Sequence, residues 1–461
     1  MTMSNSRALV IATLALASVV NAQTMTLAQA HALALKNNIP LQEARQTWLT
    51  NQYDQNIAWS YLLPQATNAT ELQRNKTVFD GYSNVNETTR FYNLRDLNLT
   101  LTQELFNMNS YYLYSQASQK ATQDLLIYQR ALQKLTLTIS EQYFDLTLAI
   151  DDYHFLIAEE KETLQRLEDI KNQLNYGAMT KSQLLEVQAQ AQRVHADIIE
   201  AKQAVQNKKD VLSDSIGEAN YQKIMVLGTK PRTLSLTIPR LQHWINDTEA
   251  NNLTLKIMGS GVLQAHYSQQ AAQSNYLPTL SFNTTYHNYD FSSQSVKIEG
   301  SGTPQTWLTR RGYDTLQGSI KLSLPLMDGG KRYYDNKKAS ANVRLTEVNA
   351  KNSQQDIMRH LKKLYRALKH GSELIATKQA ALKSSSEMSR ISQVSLQAGA
   401  VTVLEALENI KNVRNDQKNL AIAQYDYLYN LIEILIQAGI ISPKDISDID
   451  RDLNQEILIP E

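Results

Sequence analysis

The chain repeats itself, and a duplication of this length restricts what it can fold into. Asn37-Asn38 and Leu63-Pro64 return as Asn251-Asn252 and Leu277-Pro278, 214 positions later. Gly177-Ala178-Met179-Thr180 returns as Gly399-Ala400-Val401-Thr402, 222 positions later. Leu185-Glu186 returns as Leu407-Glu408 and Gly217 as Gly439, with the same 222 offset. The offset therefore grows between Pro64 and Gly177, which marks an insertion there. A unit this long is not a solenoid repeat. It predicts two half-structures that build one pseudo-symmetric body.

Missing breakers define the helices. No proline falls between 65 and 230 or between 326 and 442, and Asn107 to Tyr176 contains neither proline nor glycine. Such a tract allows a helix of up to about 105 Å. Ala178–Ile216 and Ala400–Ala438 are also free of both, and only Gly371 interrupts Lys331–Ala398. Leu132, Leu135, Ile139, Tyr143, Leu146, Ile150, Tyr153 and Ile157 step by three or four, and Leu164, Leu167 and Leu174 continue the stripe. That heptad seam, set among Gln, Lys, Glu and Ala, predicts solvated coiled-coil helices. Gly177 and Gly399 are the breakers at the turns, and Thr180 and Thr402 are placed to cap the returning helices.

Four segments change period. Leu97, Leu99 and Leu101 alternate with Asn98, Thr100 and Thr102, and Ile320, Leu322, Leu324 and Leu326 alternate with Ser319, Lys321 and Ser323. Leu280 and Phe282 alternate with Ser281, Asn283 and Thr285, and Ala66 to Leu72 gives the weakest strand signal. Alternation means one apolar and one polar face. Tyr61, Tyr82, Phe91, Tyr92, Tyr276, Tyr286, Tyr289, Trp307 and Tyr313 gather near the strand ends, as in a membrane-interface girdle. A small soluble sheet packed on the helices is the competing reading.

Residues 1–22 read as a secretory signal peptide. Arg7 precedes the apolar run Ala8–Val20, and Val20 and Ala22 suit a small-residue cleavage site. No later stretch reaches 18 apolar residues, so any membrane crossing must use strands. The chain has no Cys, and 46 Lys+Arg balance 45 Asp+Glu, which gives no net field for nucleic acid. A sheet in lipid must close on itself, and spanning barrels have at least eight strands. Four strands would have to be shared among two or three copies. If the helices form a duct, three copies fit better, because eight-strand barrels are filled by side chains.

The sequence resembles the outer-membrane efflux protein, or TolC-like, family from about Met25 to Gly439. The motifs are Met25-Thr-Leu-Ala-Gln-Ala-His-Ala-Leu-Ala-Leu-Lys-Asn-Asn38, Tyr61-Leu-Leu-Pro64, Leu101-Thr-Gln-Glu-Leu-Phe106 and Glu141-Gln-Tyr-Phe-Asp145. Leu277-Pro278, Leu322-Ser-Leu-Pro-Leu-Met-Asp-Gly-Gly330 and the two Gly-x-x-Thr hairpin tips complete the ordered, doubled set. The resemblance implies a mostly α fold with a small β part. Each chain would supply four strands to a shared 12-stranded outer-membrane β-barrel and coiled-coil hairpins to an α-helical barrel, as a homotrimer. The first repeat would run over 23–217, with a β-hairpin at about 64–106, a long helix at 107–176 and a returning helix at 180–216. The second would run over 241–439, with a β-hairpin at about 278–326 and helices at 330–398 and 402–438. Segments 218–240 and 440–461 would form an equatorial belt.

The implied function is the outer-membrane channel of a tripartite efflux or type I secretion system, a passive exit duct reaching into the periplasm. Its partners would be a periplasmic adaptor (membrane fusion) protein and an inner-membrane pump of the RND or ABC type. The alternative is a soluble periplasmic coiled-coil scaffold. The resemblance carries an acidic channel-entrance ring onto Glu405 and Glu408, which an i,i+3 spacing places on one helix face. The plain reading is two glutamates on a wet surface. Gly177, Thr180, Gly399 and Thr402 mark the tips where an adaptor would dock, or are simply turns. The places matching the family's polar gate links hold Ser182 and Gln183 instead of a carboxylate, with Leu396 and Val401 opposite.

Enzyme signatures and cofactor sites are absent from the sequence pattern. Asp328-Gly-Gly-Lys331 would need a glycine where Pro325 stands and Ser or Thr where Arg332 stands. Asp151, Asp152 and His154 have no metal-ligand spacing partner, and His154 reads as an ordinary helix residue.

Overall fold

The protein is described by a computed structural model covering residues 24–79, 88–177, 179–217, 221–227, 238–298, 305–307 and 311–460. Residues 1–22, where a signal peptide is expected, Tyr82, Ala178 and the Pro231 region of segment 218–240 lie outside the described residues, as do the side chains of Phe91 and Trp307. In chain order the elements are β1 (Thr24–Met25), α1 (Leu27–Asn37), α2 (Ile39–Ser60), β2 (Gln65–Phe79), β3 (Thr88–Phe106), α3 (Met108–Asn175), α4 (Lys181–Ile216), β4 (Lys223–Val226), α5 (Leu241–Asn251), α6 (Leu253–Ser274), β5 (Thr279–Ile298), β6 (Gln305–Trp307), β7 (Arg311–Ser323), α7 (Lys331–Gln397), α8 (Val403–Ala438), α9 (Pro443–Asp452) and β8 (Gln455–Leu458). The chain is mostly helical, and two helices run unbroken for 68 and 67 residues.

Two compact units emerge. One comprises Leu41–Ala131 and Thr248–His360. Its sheet has the order β2-β3-β5-β7, all neighbours antiparallel, with β6 adding a short pairing to β5. Among the described residues β2 pairs only with β3 and β7 only with β5 along their lengths, so the sheet is open at both rims. The expectation of four strands needs extending, because β6 joins this sheet and three further strands form a second one. Below the sheet, α6 is held to the start of α3 by amide contacts. Gln119 Nε2 donates to Ser260 Oγ at 2.7 Å, and Gln123 Nε2 to the Ile257 carbonyl at 3.0 Å.

The other unit comprises the residues up to Pro40 with Leu132–Asp247 and Leu361–Glu461. Its three-stranded sheet, β1-β4-β8, draws on chain segments hundreds of residues apart. The buried Tyr143 hydroxyl ties it to α3, lying 2.7 Å from the Met225 carbonyl and 3.1 Å from that of Met25. The duplicated asparagines also find a purpose. Asn37 Nδ2 donates to the Ile216 carbonyl at 2.8 Å, and a Cβ at Gly217 would collide with that same amide group. In the second copy Asn252 caps α6, accepting from the Leu255 N–H at 3.0 Å. Gly371 does not break α7. A Cβ there would lie 2.6 Å from the Tyr427 ring, so the glycine permits close packing of α7 on α8.

The predicted seam of α3 is correct only in part. Leu135, Ile139, Tyr143, Leu146 and Ile150 are buried, but the buried stripe then shifts to Leu156, Glu159, Thr163, Arg166 and Ile170. Ile157 and Leu164 are exposed. Three polar residues occupy the inner face there, and apolar periodicity cannot signal them.

Candidate functional site: the hairpin ends and the two faces of the sheet

At the hairpin ends, Gly177 (φ 74°) and Gly399 (φ 73°) take the left-handed conformation that turns each chain back. Thr180 caps α4 with a reciprocal box. Its hydroxyl accepts from the Gln183 N–H at 3.3 Å, while Gln183 Oε1 accepts from the Thr180 N–H at 2.8 Å. Thr402 caps α8 more simply, accepting from the Glu405 N–H at 3.2 Å with no return bond from Glu405. The two hairpins are joined by an apolar cluster of Ile170, Val187, Leu396, Val403, Ala406 and Leu407, flanked by Leu167, Met179 and Leu184. Leu396 is therefore a core residue of one chain. Gln183 is engaged in its own cap, and Ser182 is exposed.

Glu405 and Glu408 lie on the exposed side of α8, opposite the buried Val403, Ala406, Leu407 and Ile410. Among the described residues neither carboxylate has an ion-pair partner. The tips at Gly177, Thr180, Gly399 and Thr402 are likewise exposed, and Tyr176 projects beside them.

Further along the same unit, Asp152 accepts from Arg414 at 3.0 Å and from Lys418 at 2.8 Å. Asp151 accepts from the Tyr425 hydroxyl at 2.9 Å, and burial pushes its carboxyl up to about 6, opposed by that hydrogen bond. Burial also raises Glu159 and lowers Arg166, two inner-face residues of α3. Among the described residues no cluster of His, Asp and Glu assembles a metal site.

The sheet of the other unit has two chemically distinct faces, fixed by register. One face carries Leu97, Leu99 and Leu101 of β3, Tyr286, Phe282 and Leu280 of β5, and Leu316, Ile320 and Leu322 of β7. Leu316, Ile320 and Leu322 are each about 70% exposed (73%, 69% and 69%) although large and apolar. The edge strand β2 adds Ala66, Asn68, Thr70 and Leu72, which explains its weak sequence signal. The opposite face is a wall of small polar groups, including Thr67, Asn98, Thr100, Thr102, Asn283, Thr285, Thr315, Gln317 and Ser319. Tyr289 and Tyr313 stack on this polar face, with ring centres 4.9 Å apart. They do not belong to an outer girdle as their position near strand ends suggested, whereas Tyr286 does face the apolar side. No helix among the described residues is long and apolar enough to cross a membrane.

A family model described as outer membrane efflux protein matches residues 244–440. Over 406 residues the chain is 25% identical to the outer membrane protein TolC of Vibrio cholerae, spanning 86% of each chain. The chain is similar to the outer membrane efflux protein family over its second half. A second relative, the alkaline protease secretion protein AprF of Pseudomonas aeruginosa, is 22% identical over 423 residues, which is 90% of this chain and 84% of that one. The fold matches that of the CmeC outer membrane channel of Campylobacter jejuni with a TM-score of 0.74 at 18% identity, over 93% of this chain and 90% of that one. The family model covers the second half of the duplication, while the relatives extend across both halves.

Proposed function

We propose that this chain is one subunit of a trimeric exit duct for efflux or secretion. Its likeness to outer membrane efflux proteins, TolC and AprF supports an outer-membrane channel protein that extends into the periplasm. The observation that carries the trimer is the open sheet of four long strands, apolar on one face, polar on the other and, among the described residues, unpaired at both rims. Hydrocarbon supplies no hydrogen-bond partner for a rim, so the rims of sister copies must pair. Three copies give twelve strands, enough for a water-filled interior behind the polar face. The apolar face would meet lipid.

The duct works passively within a tripartite assembly, between a periplasmic adaptor and an inner-membrane pump of the RND or ABC type. The hairpin tips at Gly177, Thr180, Gly399 and Thr402 serve as the adaptor's docking points. Glu405 and Glu408 of three copies form a six-carboxylate ring at the entrance, favouring cations. The family's ionic gate links are not available here, since Ser182 carries no charge and Gln183 is occupied by its cap. The apolar cluster makes the two hairpins of one chain move together, so opening must occur between subunits.

Detergent extraction tests the reading. Three chains per particle, found in outer-membrane fractions and resistant to SDS until heated, are expected. A buffer-soluble protein or a single-chain particle overturns it. For the ring, trivalent cations on the periplasmic side should block conductance in the wild type and lose that block in Glu405→Ala/Glu408→Ala, and equal block in both would remove the ring from the account.

A further inference from the structure

The inner face of α3 changes chemistry for two turns. On the side away from the tips it is sealed by Leu156, which packs with Val194 and Ile198 of α4. Toward the tips Ile170 joins the apolar cluster that holds the hairpins together. Between these two, the buried positions are Glu159, Thr163 and Arg166, exposed by only 6%, 1% and 3%. We propose that this polar layer is a hinge plane, at which the tips of both hairpins open as one piece while the helices behind it stay packed.

Three observations carry it. First, the layer crosses more than one helix. α3 and α7 both run toward the tips, and Ile170 and Leu396 belong to the same cluster. One turn earlier on each helix stand Arg166 and Ser392, both 3% exposed. Second, the layer is poorly satisfied. Arg166 Nε and Ser392 Oγ are buried without a hydrogen bond among the described residues. The Asp169 carboxylate stands 4.0 Å from the Arg166 guanidinium and is itself partly exposed. Burial raises the Glu159 carboxyl, which senses Arg414 and Lys411 of α8 and Asp197 of α4 but, among the described residues, hydrogen-bonds none of them. Third, the tips beyond the layer are bound to each other. Ile170, Val187, Leu396 and Val403 come from four helices and share one cluster, so a break at the layer frees them together.

A buried polar atom without a partner costs free energy that an apolar group in the same place does not. Replacing buried charges by well-packed apolar side chains is often stabilising for this reason. Local opening follows the weakest packing. The layer therefore gives way before the apolar turns on either side of it.

The hinge lies within one chain. Its use at a duct entrance rests on the trimer proposed above, but the local opening does not. Hydrogen–deuterium exchange of the full-length protein in detergent, read by mass spectrometry, is the test. Arg166→Leu/Ser392→Ala removes both orphaned groups and should slow amide exchange in 167–175, 181–187, 393–397 and 403–407 by about ten-fold, with 139–150 unchanged. Ser392→Ala alone, a smaller change that fits the same space, should slow it in the same direction. Arg166→Lys keeps a buried charge and should keep the fast exchange. Tip exchange that is unchanged or faster in both Ser392→Ala forms overturns the proposal, as does slowing of 139–150 by the same factor. A single-chain particle with the expected pattern would sink the duct and leave the hinge standing. A trimer whose tips do not respond to these substitutions would do the reverse.

Discussion

The hairpin ends and the sheet handle apolar surface in opposite ways. Ile170, Val187, Leu396, Val403, Ala406 and Leu407 close over one another within a single chain. Leu316, Ile320 and Leu322 stand exposed on the sheet, along with Leu72, Leu99 and Leu101. The hairpin ends therefore cover their apolar surface within the chain, while the sheet leaves its apolar face and, among the described residues, both rims uncovered. Water would penalise the sheet's apolar face by about 25 cal/mol per Å² exposed. In the proposed trimer, lipid on that face and sister strands at the rims would remove both penalties at once.

The largest effects should separate these two regions. Ile170→Ala is expected to cost about 2–5 kcal/mol by leaving a cavity in the hairpin cluster. Hydrogen exchange would show it as faster opening of α3, α4, α7 and α8 near the tips, with the sheet's protection unchanged. On the sheet, Leu99→Arg should cost about 2–4 kcal/mol if that face meets lipid, whereas Thr100→Arg on the polar face should cost far less. The yield of SDS-resistant oligomer in outer-membrane fractions reads both. Equal losses would erase the distinction between the faces.

A pH series sharpens the picture of the helical unit. Asp151 has its folded carboxyl raised to about 6, above its ordinary range near 4, mainly by burial. The folded state then holds the proton more tightly than the unfolded state does, so this group's contribution to stability declines as pH rises from about 4 through 6. Asp151→Asn keeps an oxygen for Tyr425 and cannot ionise. Its melting temperature should gain on the wild type as pH rises to 7, by an amount corresponding to at most about 3 kcal/mol. A constant offset across that range would contradict the assignment.

The smallest effect compares the two tips. Thr180→Ala removes half of a reciprocal cap and should cost about 1 kcal/mol, while Thr402→Ala removes a single bond and should cost somewhat less. Local exchange rates in the first turns of α4 and α8 give the ranking.

Much of this was legible from residue order, because local chemistry specifies it. Tracts without proline, and with glycine only at Gly371, became α3, α4, α7 and α8, and Gly177 and Gly399 turn them back. Leu97-Asn98-Leu99-Thr100-Leu101 declared its two faces. What depends on distant pairing was not legible. The sheet of β1, β4 and β8 has strands of two to four residues, too short for any period to show. The inward turn of Glu159, Thr163 and Arg166 depends on what the opposing helices present. Tyr289 sits near a strand end like a girdle residue, and only pairing assigns it to the polar face. At the candidate entrance, the cap pattern Thr180-x-x-Gln183 was readable, but the failure of Glu405 to complete the equivalent box was not.

The central claim is that the free rims of β2 and β7 meet across copies. The chain has no native Cys, so Thr67→Cys on β2 with Gln317→Cys on β7 provides a clean pair for a short bis-maleimide linker in outer-membrane vesicles. The account predicts covalent dimers and trimers on a denaturing gel, with trimer as the limit. A product confined to single chains, cross-linked internally or not at all, would contradict it.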